Sequence, residues 1–289
     1  MHLDGQPKGC RRSVTVGRDG DLGNRLCSCG YAIKLRLLKV SLFITCLSDT
    51  FYPRSGIAVV KVLEYLGCQV DFPLGQTCCG QPLYNNGFHG DARELAKRMV
   101  GIFEHSDHVV TPSGSCAAMV RDYYADLLSD EPAYTVAAHA LVDKTSEFVE
   151  FLVKVLKVDL RQLGVRWPGH ATWHFSCHQR GLGLGVHQND TERLLRQVVG
   201  LRYTRLEKIE QCCGFGGTFA MKYPQISGAI VREKVHGIKQ TGATTVVSND
   251  AGCTMNIGGA CRRHGADVDF IHIAELIAEG LGLMEKGKT

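Results

Sequence analysis

Two adjacent cysteines precede a glycine at Cys78-Cys79-Gly80, and the same triplet returns at Cys212-Cys213-Gly214, 134 positions later. Neighbouring cysteines cannot easily form a disulfide with each other, and thirteen cysteines is an odd count. Other cysteines fall into register with the two pairs. The first half runs Cys46, 31 residues, Cys78-Cys79, 36 residues, Cys116; the second runs Cys177, 34 residues, Cys212-Cys213, 39 residues, Cys253. The order is the same and each gap differs by three, which marks an internal repeat. Four thiolates brought to one point repel unless a cation sits among them, so a metal centre is the expected occupant of each quartet. Zinc and iron–sulfur are the two candidates. Structural zinc sites usually draw on cysteine knuckles two to four residues apart, and neither quartet contains one. Four cysteines per half do satisfy a cubane-type cluster. The plain alternative is eight reduced cysteines packed as small hydrophobes.

The elements that must position these thiols are legible as alternating runs. Residues 39–46 (KVSLFITC) read as a buried strand ending at Cys46, and 54–66 as a helix stopped by Gly67. A second strand spans 68–73, followed by the first double-cysteine loop, a helix over 89–105, a strand ending in the loop to Cys116, and a helix over 117–128. The order repeats: a strand over 170–177, a helix over 189–200, a strand leading to the second double-cysteine loop, a helix over 224–240, a strand whose exit loop ends at Cys253, a helix, a strand over 267–273 and a closing helix. This predicts an α/β protein of two pseudo-symmetric halves, each an open, mostly parallel sheet with flanking helices. The expected divisions are a poorly ordered extension over 1–37, a first repeat over 38–129, a largely helical linker over 130–168 and a second repeat over 169–289. Loops after parallel strands emerge at one sheet edge, where ligands bind. The glycine after each cysteine pair permits a turn that a β-carbon disfavours.

Composition sets the class. The chain has 289 residues, 44% hydrophobic and 21% charged, as in a soluble globular protein. The net charge of +4 is uneven: residues 1–39 carry +5 and the remainder −1. No basic stripe interleaves with aromatics, which excludes nucleic acid as an expected partner. No apolar run opens the chain as a secretory signal would, and the apolar stretch near residue 40 is interrupted by Arg36 and Lys39 and too short to span a bilayer. A cytoplasmic, reducing location is therefore expected, where many cysteines point to metal or catalysis. The glycine run at 181–185 has the wrong spacing for a dinucleotide site, and the compact ferredoxin run of cysteines is missing. Electrons would have to arrive from another protein.

The stretches TCCGQPLYNNG, PSGSCAAMVRDYY, HFSCHQ, CCGFGGTFA and NDAGCTMNIGG together resemble the lactate utilization protein A family, built on the CCG cysteine-rich domain also found in heterodisulfide reductase. The resemblance covers residues 39–283 and leaves 1–37 unaccounted for. It implies an iron–sulfur electron-transfer subunit of an L-lactate-oxidising system. One 4Fe-4S-type cluster per half would be held by Cys46, Cys78, Cys79 and Cys116, and by Cys177, Cys212, Cys213 and Cys253. It also implies two partner proteins, one with ferredoxin-like clusters. Rival readings are an iron–sulfur subunit for another 2-hydroxy acid or for glycerol-3-phosphate, and a zinc or thiol-redox protein that is not an enzyme.

Some relatives carry Cys-x-x-Cys at the third station. Here Ser113 and Asp250 stand at the first of those positions, which puts a non-cubane cluster in doubt. Each residue either caps the following helix or reaches the centre, Asp250 as an oxygen ligand and Ser113 as a hydrogen-bond donor to sulfur. His178 follows Cys177, and His174 lies three residues before it. A histidine there either assists the centre as donor or proton carrier or is a plain polar loop residue. Cys68 and Cys261 have no counterpart in the other half and read as non-ligands; Tyr84, Phe215 and Phe219 read as shields against water.

Overall fold

The computed structural model describes residues 38–180, 182 and 189–287. The extension over 1–37, with Cys10, Cys27 and Cys29, and the glycine run at 181–185, except for Leu182, lie outside the described residues. From Leu38 onward the chain forms one folded unit.

Two four-stranded sheets form its frame. The first has strand order β2-β1-β3-β4, with β1 Lys39–Leu42, β2 Gln69–Asp71, β3 His108–Thr111 and β4 Thr145–Glu147. The second has order β6-β5-β7-β8, with β5 Arg166–Trp173, β6 Val199–Tyr203, β7 Thr245–Ser248 and β8 Asp269–His272. All pairings are parallel. The orders match strand for strand, so the cysteine repeat reflects a repeat of architecture. Central strands β1, β3 and β7 are buried along nearly their whole length, which is why they read as unbroken apolar and β-branched runs.

Helices cover the faces. Pro53–Tyr65 starts on a proline, whose missing N–H costs nothing at that position. It buries Ala58, Val59, Val62 and Leu63. By strand order its counterpart is the short helix Asp190–Leu195, His89–Ile102 corresponds to Pro224–Thr241, and Ile273–Gly280 follows β8. One hydrophobic cluster runs through both halves, joining Val40, Leu42 and Leu63 to Trp173, Val246 and Leu276. A second, around Phe43, Met99 and Phe103, belongs to the first half.

The segment 130–168 differs from the expected helical linker. It holds the helix Thr135–Lys144, then β4, which pairs with β3 and completes the first sheet. β5 also begins earlier than expected, at Arg166. Each first-station and third-station cysteine lies beyond its strand, at the start of a helical turn: Cys46–Phe51, Gly114–Ala118, Cys177–Arg180 and Ala251–Arg263.

Candidate metal centres

In each sheet the chain leaves the two central strands in opposite lateral directions. That topological switch point opens a crevice at the carboxyl ends of the strands. Cys46 follows β1 and Cys116 follows β3, so they flank the first crevice; Cys177 after β5 and Cys253 after β7 flank the second. The double-cysteine loop after the neighbouring edge strand closes each group. Gly80 and Gly214 sit at φ 86° and 82°, the left-handed region, and each amide hydrogen-bonds to the sulfur two residues back, at 3.5 Å to Cys78 Sγ and 3.3 Å to Cys212 Sγ. A β-carbon at Gly214 would stand 2.9 Å from the Ser227 carbonyl oxygen. Tyr124 Oη donates to the Cys79 carbonyl at 2.8 Å, and Asn256 Nδ2 to the Cys213 carbonyl at 2.8 Å. The same loop is thus pinned in the same way twice.

The eight cysteines of the register form two contiguous sulfur chains. Cys46 meets Cys78, Cys78 meets Cys79, and Cys79 Sγ lies 3.4 Å from Cys116 Sγ. Cys177 meets Cys212, Cys212 meets Cys213, and Cys213 Sγ lies 3.1 Å from Cys253 Sγ. None of the eight is in a disulfide. Hydrogen bonds from Cys46 and Cys79 hold the Cys78 thiol down to about 3, while its partner Cys46 is pushed well up by giving that bond and by burial. Cys212 is held down to about 2 by Cys177 and Cys213, and Cys177 is pushed up in turn. One sulfur per quartet carries charge readily while its neighbours keep their protons. Full ionisation needs a cation, and soft thiolates suit iron or zinc. The donor set therefore fits a thiolate-bound metal centre in each half. Two thiols of each quartet are buried, Cys79 and Cys116 in the first and Cys213 and Cys253 in the second, while Cys46 and Cys212 are exposed.

Cys68 and Cys261 pack in the hydrophobic core, and burial pushes both thiols up to about 11. Ser113 and Asp250 both accept from the backbone N–H three residues on, at Cys116 and Cys253, so each caps the helix that carries its cysteine. They also meet each other: Ser113 Oγ donates to Asp250 Oδ2 at 3.2 Å, and the Ser115 N–H donates to the same oxygen at 3.0 Å. The two third stations are therefore in contact across the halves. Matching contacts flank them. Asn249 Nδ2 donates to Glu147 Oε1 at 3.1 Å, while His272 Nε2 lies 3.1 Å from the Pro112 carbonyl oxygen. Glu147 and His272 end the fourth strand of each sheet, and Asn249 and Pro112 each precede a third-station cap.

His178 also bridges the halves. Its Nδ1 lies 3.7 Å from Cys177 Sγ and its Nε2 lies 3.2 Å from Gln81 Nε2, whose amide also donates to the Ser115 carbonyl. Tyr84 packs on Tyr123 and His89 beside Cys78. The Phe215 ring lies on Gly252, where a β-carbon would meet it at 2.6 Å.

His174 is no loop residue at the surface. It is 1% exposed, and neither ring nitrogen has a hydrogen-bond partner among the described residues. Its ring, Cys213 Sγ and Cys253 Sγ offer donor atoms within 4.8 Å of one another. Burial, with the Lys234 ammonium nearby, pulls the imidazole down to about 3, so it is neutral. A buried polar group left unpaired costs about 1–3 kcal/mol. Lys234, also 1% exposed, donates to the carbonyls of Lys208 and Ile209 and faces all four sulfurs of the second group. Sequence reasoning missed Lys234. The signal was available in the register: counted from the residue that opens each helix, Lys234 stands where the first half has Met99.

Comparison with known proteins fits this geometry. The CCG family model, described as a cysteine-rich domain, matches residues 40–121 and 171–258. A lactate utilization protein A from Exiguobacterium sp. is 46% identical over 244 residues, covering 84% of this chain and 98% of the relative. Another from Halalkalibacterium halodurans is 48% identical over 240 residues, covering 83% and 96%. Among solved structures, a hypothetical protein from Helicobacter pylori shares the fold at a TM-score of 0.58 with 10% identity, covering 85% of this chain and 51% of that one. With two domain matches on the two sulfur groups and near-full-length relatives, the chain belongs to the lactate utilization protein A family and carries two copies of the CCG cysteine-rich domain.

Proposed function

We propose that the chain is an iron–sulfur electron-transfer subunit of a system that oxidises L-lactate to pyruvate. The observation that carries this reading is the pair of four-sulfur groups, each at the switch point of its own sheet. The names of the relatives supply lactate as the substrate context. Cys46, Cys78, Cys79 and Cys116 would hold one centre, and Cys177, Cys212, Cys213 and Cys253 the other. An iron–sulfur cluster bound there supplies reversible one-electron storage. The chain's own residues fix the sulfurs, bury Cys79 and Cys116 in one group and Cys213 and Cys253 in the other, and leave one edge open at Cys46 and Cys212. That open edge is where electrons pass to and from partner proteins, two on this reading, one of them with ferredoxin-like clusters. No helix among the described residues is long and apolar enough to cross a membrane, and the reading places the protein in the cytoplasm.

The test is metal analysis of protein purified without oxygen. Brown protein with about four irons per half supports the reading; colourless protein holding zinc refutes it. Deleting the gene should abolish growth on L-lactate, and normal growth would count against lactate as the substrate.

A further inference from the structure

The two sulfur groups are built alike, but the walls behind them are not. Position by position along the strand exit, Phe43, Thr45 and Ser48 of the first half stand where the second has His174, Ser176 and Gln179. In the first half that wall is closed. Phe43 packs on Phe103, and the Thr45 hydroxyl donates to Ser48 Oγ at 3.0 Å. In the second half all three side chains are polar and at most 1% exposed. The two His174 nitrogens and both amide atoms of Gln179 have no hydrogen-bond partner among the described residues, and Ser176 Oγ faces the Cys253 thiol. Unpartnered polar atoms gathered this densely in a protein interior call for an occupant that uses them.

His174 is the member aimed at sulfur. Its nearest donor atoms are those of Cys213 and Cys253, the two buried thiols of the group. An imidazole between two thiols is a ligand set in common use for iron and zinc.

We propose that His174 supplies a nitrogen to the metal centre of the second half, so that the chain carries two unlike centres, one held by thiols alone and one by thiols and an imidazole. The inference rests on the metal-binding reading above. Lys234 deepens the difference. Its ammonium faces the second group, where the first presents the Met99 side chain to its core.

The test is pulsed electron paramagnetic resonance on the full chain, purified without oxygen and reduced with dithionite. Nitrogen coupling of directly bound strength should appear on one of the two centres. It should persist in His178→Phe and vanish in His174→Phe, which installs the residue the first half already uses. Absence of coupling in the unaltered chain, or coupling unchanged in His174→Phe, overturns the inference while leaving iron centres and the electron-transfer reading intact. Zinc in place of iron would overturn that reading instead; cobalt(II) exchanged for the zinc then reports the His174 nitrogen by the same criterion. If His174→Phe fails to fold, the unaltered chain grown on 15N-histidine decides. Coupling that takes the 15N pattern, there and in the His178→Phe background, supports the inference, and coupling that stays 14N overturns it.

Discussion

A single carboxylate does three jobs where the halves meet. Asp250 Oδ1 accepts from the Cys253 N–H at 3.3 Å, and Oδ2 accepts from Ser113 Oγ and the Ser115 N–H. With both oxygens committed to donors, the carboxylate is a cap and a tie. Removing it strands a buried amide and a hydroxyl. Asp250→Ala should destabilise the protein by about 2 kcal/mol, measured by denaturant unfolding under anaerobic conditions. Ser113→Ala should cost less, and the double variant less than the sum, because the two share one contact. Full additivity would show that the contact carries no energy. Metal content and visible spectrum should be unchanged in Asp250→Ala; a changed spectrum would make Asp250 a ligand. The residues of this site were unevenly legible in the sequence. Cysteine spacing announced the quartets because a repeat of eight positions is visible without any structure. His174 was visible as a residue but not as a buried one, since a histidine three positions before a cysteine looks the same on a loop as behind a metal group.

Secondary structure was legible where an element is long or wholly apolar, and obscure where it is short and polar. β4 is three residues, Thr-Ser-Glu, on the edge of its sheet. The apolar spacing that follows from Phe148 is helical and swallowed it in a reading by period. Its last residue is the one that matters. Glu147 is fully buried, accepts from the Val149 and Glu150 N–H groups to open the next helical turn, and receives Asn249 Nδ2 from the other half. Burial outweighs those bonds and pushes the carboxyl from 4.5 up to about 8. The folded protein thus holds a proton that the unfolded chain releases near 4.5. Its contribution is fully present below that pH and is lost as pH rises through about 8. Glu147→Gln should remove this slope. Relative to the unaltered chain, the variant should gain on the order of 1–3 kcal/mol between pH 6 and pH 9. Asn249 Oδ1, unpartnered among the described residues, can receive the new amide once the Asn249 side chain turns. Parallel unfolding curves for the two proteins at both pH values would refute the assignment.

The two domain copies behave as one body because their cores and their surfaces are shared. The Pro53–Tyr65 helix of the first half lies against the Ile273–Gly280 helix of the second, and one hydrophobic cluster passes through both. Arg54 binds Glu275 at 3.1 Å and Glu279 at 2.8 Å, while Trp167 Nε1 donates to the other oxygen of Glu279 at 2.9 Å. The Glu279 side chain is only 4% exposed, so its loss takes an acceptor from Arg54, the Trp167 N–H and the Gly287 N–H. Glu279→Ala should cost about 2 kcal/mol and lower Tm by roughly 4–8 °C. Calorimetry should show a single transition that moves as a whole. Two transitions, with only one displaced, would mean that the halves fold separately. This joint architecture was foreseen as two similar halves, but the fusion of their cores was not, because contacts between distant segments leave no local period in a sequence.

The touch between Ser113 and Asp250 breaks the symmetry of the two copies. They occupy the same rung of the two copies, so their meeting lies on the approximate dyad relating them. In a dimer of identical single-copy chains, a residue on the dyad would face its own twin. An aspartate there would oppose an aspartate, two anions sharing a buried spot, and a serine would oppose a serine with no acid to fasten it. A hydroxyl paired with a carboxylate at that rung requires two copies of unlike sequence, which this chain holds together. Two unlike copies in one chain thus allow each sulfur group neighbours of its own.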